Sequence, residues 1–195
     1  YESKVENGTK PSYKGEAVKR TDGEEWAFYA WTPNIVVATK DTIYTANFIE
    51  KDIEYSDFGA VGNGTTDDFE ALYKAHIYAN GTGATKVVAQ SGKTYYINNT
   101  VPTASLLEWA NGIINGTYTN DNGLKTDKHG NIVTEELIAY INSNLSTIKS
   151  TKAITIPVIT NVVWTGAKFT IDDSKITSKV VSGTTAVNNP DAQYN

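Results

Sequence analysis

The stretch that decides the fold runs from residue 55 to residue 97 and reads YSDFGAVGNGTTDDFEALYKAHIYANGTGATKVVAQSGKTYYI. Its first ten residues contain three closely spaced glycines, which predict a tight loop because glycine adopts left-handed backbone conformations without strain. Two short apolar and aromatic runs near its end, residues 87–89 and 94–97, predict strands separated by a turn at Ser91-Gly92.

The middle of this stretch predicts a helix over residues 67–79. Asp67, with Glu70 three residues later, resembles a capping box, and acidic residues in the first turn suit the helix dipole. The Asn80-Gly81 pair is expected to end the helix. Apolar residues at helical spacing give it one buried face: Phe69, Leu72, Tyr73, His76 and Ala79.

The second half of the chain contains further helices before it returns to strands. A short helix is predicted over residues 104–110, and a longer one runs to about Lys149 with Thr134 as its N-cap. Strands are predicted around residues 154–158, 162–164 and 169–171. The longer helix carries one apolar stripe: Leu137, Ile138, Ile141, Leu145 and Ile148.

Residues 55–97 resemble the opening of the pectate-lyase-like superfamily of right-handed parallel β-helices, which includes polysaccharide lyases, glycoside hydrolases and phage tailspikes. The resemblance is carried by DFGAVG at residues 57–62, by Asp67-Asp68, and by GKTYYI at residues 92–97. Asn63 departs from the pattern, where an aspartate is commoner. The resemblance implies that the helix covers the open end of a solenoid.

Residues 1–50 resemble, in part, the tandem repeat of bacterial surface proteins related to internalin B-repeats. The resemblance is carried by GTKPSY at residues 8–13, by Trp31-Thr32-Pro33, and by YTANF at residues 44–48. It implies a β-grasp-like spacer or adhesive module without enzymatic activity.

Together the two resemblances and the strand pattern imply a mainly β chain. A partial, β-grasp-like module is expected over residues 1–50. Residues 51–195 are expected to form the first coils of a right-handed parallel β-helix, with an N-terminal capping helix and a helical insertion at about residues 101–150.

Composition restricts the classes of function. The 195 residues carry a net charge of −5, with scattered Lys and Arg, which argues against nucleic-acid binding. The chain contains no cysteine, which excludes disulfides and thiolate sites, and no apolar stretch long enough to span a bilayer. Because it starts at Tyr1 without a leader, we expect upstream sequence to be missing. The composition is typical of exported bacterial proteins and predicts a secreted or cell-surface location.

The acidic residues and histidines are expected to be structural. Asp67-Asp68 is interpreted as a helix start, and Asp172-Asp173 ends a strand, where adjacent side chains point to opposite faces. The segments at residues 121–123 and 127–131 are interpreted as turns, since they lack the ligand spacing of a calcium loop. His76 is expected in the core and His129 in a turn. We therefore assign no catalytic, cofactor-binding or metal-binding residue.

Aromatic side chains are the remaining candidates for sugar binding. Phe28 and Trp31 are expected in the core. The other aromatics that could stack on sugar rings are Trp26, Tyr29, Tyr95 and Tyr96.

The leading hypothesis is a non-catalytic, N-terminal section of an extracellular carbohydrate-active protein, of polysaccharide lyase or glycoside hydrolase type. The first alternative is a surface adhesin or stalk in which the β-helix is purely structural. A polysaccharide or surface glycan is the expected partner. The second is a phage tailspike-like receptor-binding protein. Whether the parent protein is an enzyme, and its oligomeric state, stay open at this point.

Overall fold

The computed structural model describes residues 4–12, 26–98, 103–150, 156–159 and 161–172. Within them, three α-helices are interspersed with ten short strands, and a single 3₁₀ turn, Tyr55–Phe58, follows the third strand. The helices are α1 Phe69–Thr82, α2 Ala104–Asn115 and α3 Glu135–Ile148. The strands are β1 Trp26–Thr32, β2 Thr45–Glu50, β3 Asp52–Glu54, β4 Asn63–Asp67, β5 Lys86–Val88, β6 Thr94–Ile97, β7 Tyr118–Thr119, β8 Lys125–Thr126, β9 Val162–Val163 and β10 Lys168–Ile171.

The strands form four small sheets. Two are antiparallel pairs, β1-β2 and β7-β8, and two are three-stranded parallel sheets with the orders β3-β5-β9 and β4-β6-β10. In the first parallel sheet Ile53 aligns with Val87, which aligns with Val162. In the second, Tyr95 aligns with Phe169.

Helix α1 is buried on all its sides. It packs against α3, the 3₁₀ turn, β5 and β3. Its sequence lacks the polar face of a surface helix, and even Lys74 is buried, with its ammonium 3.5 Å from the Glu70 carboxylate. The predicted apolar face is confirmed, because all five of its residues are buried: Phe69, Leu72, Tyr73, His76 and Ala79.

Helices α2 and α3 complete the core. Thr134 is the N-cap of α3, as predicted, and its hydroxyl accepts a hydrogen bond from the backbone N–H of Leu137 at 3.1 Å. Helix α3 packs against both α1 and α2. Its apolar stripe faces the core, with Leu137, Ile141 and Ile148 fully buried and Ile138 and Leu145 partly buried.

The predicted fold class is wrong. The described residues form a mixed α/β structure, about 30% helix and 27% strand, and they show no β-helix or solenoid. Each parallel sheet has three strands of two to five residues. Residues 101–150, predicted as an insertion, instead supply α2 and α3, whose apolar faces form much of the core.

The end of α1 also differs from the prediction. The helix continues through Gly81 and ends at Gly83, which has the left-handed φ of 65° typical of a C-cap. Gly81 is needed for close packing, since a β-carbon there would lie 2.6 Å from Leu137 Cδ1 and 2.9 Å from Leu137 Cα. The predicted capping box of Asp67 and Glu70 is absent, because the N-cap is Asp68 and Asp67 Oδ1 accepts instead from the backbone N–H of Phe69.

The first strand pair is less buried than expected. Phe28 is 44% exposed, so its predicted core position is wrong, while Trp31 is half-buried. Strand β1 covers the aromatic run that ends at Trp31-Thr32, and β2 begins at Thr45 within the YTANF segment. The pair contacts the following residues through Asn47, whose side-chain oxygen accepts a bond from Asn122 Nδ2 at 2.9 Å. The boundary at residue 50 stays a prediction.

We expect Gly81→Ala to lower the free energy of unfolding by about 1–2 kcal/mol. Forcing a methyl group into a packed helix crossing costs about 1–3 kcal/mol, and the gain in helix propensity offsets only about 0.5–1 kcal/mol. The measurement is urea unfolding followed by circular dichroism.

Gly112→Ala is the matched control, because it is also a helical glycine. Its β-carbon would first meet the Tyr118 ring, at 3.3 Å, and that ring is 36% exposed and able to move. The control should be neutral or stabilising. Equal destabilisation by both variants would contradict the close-packing role of Gly81.

Candidate functional site

The Asp67-Asp68 pair lies at the start of α1 and organises the loop before β4. Asp68 is 2% exposed, and its two carboxylate oxygens accept bonds from the backbone N–H groups of Val61 at 2.7 Å and Gly62 at 3.1 Å. Asp67 is exposed, and its Oδ1 accepts from the backbone of Phe69 at 3.1 Å. The two carboxylates therefore bind different parts of the backbone, as expected for a structural role.

A second buried carboxylate, Asp127, closes the turn before α3. Its Oδ1 accepts from the backbone N–H groups of His129 at 2.8 Å and Asn131 at 3.0 Å, and its Oδ2 accepts from Trp109 Nε1 at 2.9 Å. This is the geometry of an Asx-type turn tied to α2 by an indole hydrogen bond. Across the described ranges, no group of three or more His, Cys, Asp or Glu residues is arranged to hold a metal ion.

The remaining acidic candidates lie in turns or at strand ends. Asp121 is exposed in a turn closed by Asn120, whose side-chain oxygen accepts from the backbone N–H groups of Asn122 and Leu124, each at 3.0 Å. Asp172 accepts a hydrogen bond from the Tyr96 hydroxyl at 2.7 Å. Asp173 lies outside the described residues.

The most unusual polar arrangement is a chain of three side chains, which we call the aromatic relay: Trp164, Tyr55 and His76. Trp164 Nε1 donates to the Tyr55 hydroxyl at 3.0 Å. The same hydroxyl lies 3.0 Å from His76 Nε2. The relay connects the segment after β9, the 3₁₀ turn and the middle of α1, three elements far apart in sequence.

The order of donors in the relay follows from the chemistry of the indole. An indole nitrogen only donates, so the Tyr55 oxygen accepts from Trp164 and its own proton points to His76. His76 Nε2 must then be the acceptor, which places the proton of the neutral imidazole on Nδ1.

Aromatic rings surround the relay. The Tyr55 ring meets the Tyr95 ring edge-on, with centroids 5.2 Å apart, and Tyr95 stacks on Phe169 at 5.4 Å. The Trp164 ring packs at a tilt on Phe169, at 5.2 Å. Tyr95 is 1% exposed, whereas Trp164 is 47% exposed, so the cluster extends from the core to the surface.

Burial keeps both titratable members of the relay neutral at pH 7. Desolvation raises the pKa of Tyr55 to about 12 and lowers the pKa of His76 to about 4. The prediction that His76 lies in the core is confirmed, since it is 1% exposed. His129 lies in a turn, also as predicted, where it packs against the Phe58 ring and Gly59.

The relay was not predicted from the sequence. His76 was expected in the core, but Tyr55 and Trp164 are 109 residues apart, and no local pattern joins them. Among the aromatics proposed for sugar binding, Tyr95 is buried and Tyr96 is half-buried, while the exposed Trp164 was not considered for that role.

We expect Tyr55→Phe to lower the free energy of unfolding by about 1–3 kcal/mol, because it leaves the buried His76 nitrogen and the Trp164 N–H without their hydrogen-bond partner. The measurement is the urea midpoint at pH 7.

Tyr73→Phe is the matched control, since Tyr73 is also 1% exposed and its hydroxyl makes no hydrogen bond within the described residues. It should change stability by much less. A Tyr55→Phe variant as stable as this control would show that the relay contributes nothing to the folded state.

Comparisons with known proteins found no match. No protein-family model, no curated protein and no solved structure matches the chain. In the part of the chain that the structure describes, no helix has the length and apolar character needed to cross a bilayer.

Proposed function

We propose that this chain is a non-catalytic section of an extracellular bacterial carbohydrate-active protein, of polysaccharide lyase or glycoside hydrolase type, and that it serves assembly and display. Two sequence resemblances support the proposal, one over residues 55–97 to carbohydrate-active proteins and one over residues 1–50 to surface repeats.

The non-catalytic assignment rests on one observation, which is that the buried carboxylates are hydrogen-bonded to N–H groups of the chain itself. Glycoside hydrolysis needs two carboxyl groups on either side of one sugar linkage, where both can reach the substrate. Asp68 and Asp127 are each 2% exposed, and their oxygens are occupied by N–H donors of the chain itself. They stabilise loops and cannot approach a polymer.

The first test is incubation of the protein with pectin, alginate and host glycans at several pH values, with and without calcium. We expect no new reducing ends and no absorbance from unsaturated products. An active lyase and an active hydrolase, run in parallel, show that each assay detects turnover. Product formation that scales with protein concentration would overturn the non-catalytic assignment.

A second candidate function is glycan binding by a surface adhesin, and one observation favours it. The Trp164 indole is 47% exposed, while its nitrogen is fixed by Tyr55 and one part of the ring packs on Phe169. A large aromatic surface held in one orientation loses little entropy when a sugar ring stacks on it.

If this candidate is right, Trp164→Ala should weaken binding on a glycan array by roughly tenfold or more, which corresponds to about 1.4 kcal/mol of lost contact energy. Affinity is measured by calorimetry on any glycan that the unmodified protein retains.

Phe28→Ala is the control, because Phe28 is similarly exposed, at 44%, on the first strand pair. It should leave the affinity unchanged. Equal losses in both variants, or loss only in Phe28→Ala, would remove Trp164 as the binding surface.

A further inference from the structure

The direction of hydrogen-bond donation along the aromatic relay depends on the protonation state of His76. Trp164 can only donate, and Tyr55 has a single hydroxyl proton. Both bonds of the relay therefore exist together only while His76 Nε2 carries a free lone pair.

Protonation of His76 disrupts this order. A proton on Nε2 turns the nitrogen into a donor, so that the Tyr55 oxygen faces two donors and its own proton loses its acceptor. His76 Nδ1 is buried and makes no hydrogen bond within the described part of the chain, so its N–H is unsatisfied in both protonation states and gives the added charge no stabilising partner. A buried charge with unsatisfied donors is costly.

Burial lowers the pKa of His76 to about 4, and no charged group among the described residues compensates that cost. Within the same residues, only the Tyr55 hydroxyl makes a hydrogen bond with the ring. The titratable and charged groups on the elements packed against α1 are Asp52 and Glu54 on β3, Tyr55 and Asp57 in the 3₁₀ turn, Lys86 on β5, and Glu135, Glu136 and Tyr140 on α3.

The sign of the effect follows from this pKa. The pKa of the buried His76 lies below the ordinary histidine value of about 6.5. An exposed histidine therefore binds a proton more readily than the buried one. The arrangement in which both hydrogen bonds of the relay are formed is therefore fully stable above about pH 6.5, and it loses stability as the pH falls toward 4.

The Trp164 side chain is the member of the relay best suited to move, because it is 47% exposed. The backbone around it is held by the pairing of β9 with β5 and of β10 with β6. His76 and Tyr55, in contrast, are each 1% exposed. Elements with few buried contacts open at the lowest free-energy cost.

We propose that His76 is an acid-sensitive latch: protonation of its imidazole breaks the hydrogen bond between Tyr55 and Trp164 and frees the Trp164 indole, while the backbone of residues 161–172 stays paired with β5 and β6. The inference goes beyond the proposed function and does not depend on it.

The test follows the indole N–H signals by nuclear magnetic resonance between pH 7.5 and 4, with Trp164 assigned by its absence in Trp164→Phe. The Trp164 signal should move from a hydrogen-bonded to a solvent-exposed position, with a midpoint between pH 4 and 6.5. The Trp109 signal, whose N–H is bound to Asp127, reports global unfolding and should not move with it.

Two variants separate His76 from other titrating groups. His76→Gln supplies an acceptor near the position of Nε2 but cannot bind a proton, so the Trp164 transition should disappear. His129→Gln removes the other histidine, and its transition should match that of the unmodified protein. Tyr55→Phe lacks the bond at every pH and should show the exposed Trp164 signal already at pH 7.5, even if His76→Gln does not fold.

Three results would overturn the latch. They are a Trp164 signal that does not change down to pH 4, a transition that persists in His76→Gln, and a Trp109 signal that changes together with that of Trp164.

Discussion

The burial of α1 on every side is the constraint on which the rest of the structure depends. A helix without a polar face needs neighbours around its whole circumference. Here the parallel strands β3 and β5 and the 3₁₀ turn contact it, and α3 packs against it as well. The crossing with α3 is close because Gly81 has no side chain at the point where Leu137 approaches. The positions of α2 and of the turn at Asp127 follow from that of α3.

Polar groups inside this core are matched to specific partners. Asp68 and Asp127 accept backbone N–H bonds, and His76 accepts from Tyr55. Burial of the two carboxylates is tolerated because each exchanges water for internal hydrogen bonds, whereas His76 has a partner at Nε2 and none at Nδ1 within the described residues. The matching gives the acidic residues a structural role, and it makes the relay sensitive to any change in the proton count of His76. Stability and sensitivity to acid therefore arise from the same contacts.

Much of the local structure was predictable. The apolar stripe and N-cap of α3, the buried face of α1 and the strands β5 and β6 follow from periodicity and turn residues, which act over a few neighbouring positions. The predicted end of α1 failed because Asn80-Gly81 is a strong stop signal, yet tertiary packing against Leu137 keeps Gly81 within the helix. The core position expected for Phe28 failed because alternation along a strand does not show which face meets a neighbour.

The sequence by itself determined three helices in their order along the chain, the strands β5 and β6, and the absence of cysteine chemistry. Only the tertiary structure decided the fold class, because the same strands and helices fit either a solenoid with an insertion or a mixed α/β core. The aromatic relay was likewise decided in three dimensions. Tyr55, His76 and Trp164 meet only after strands from both halves of the chain pair side by side, and no short-range pattern encodes a contact across 109 residues.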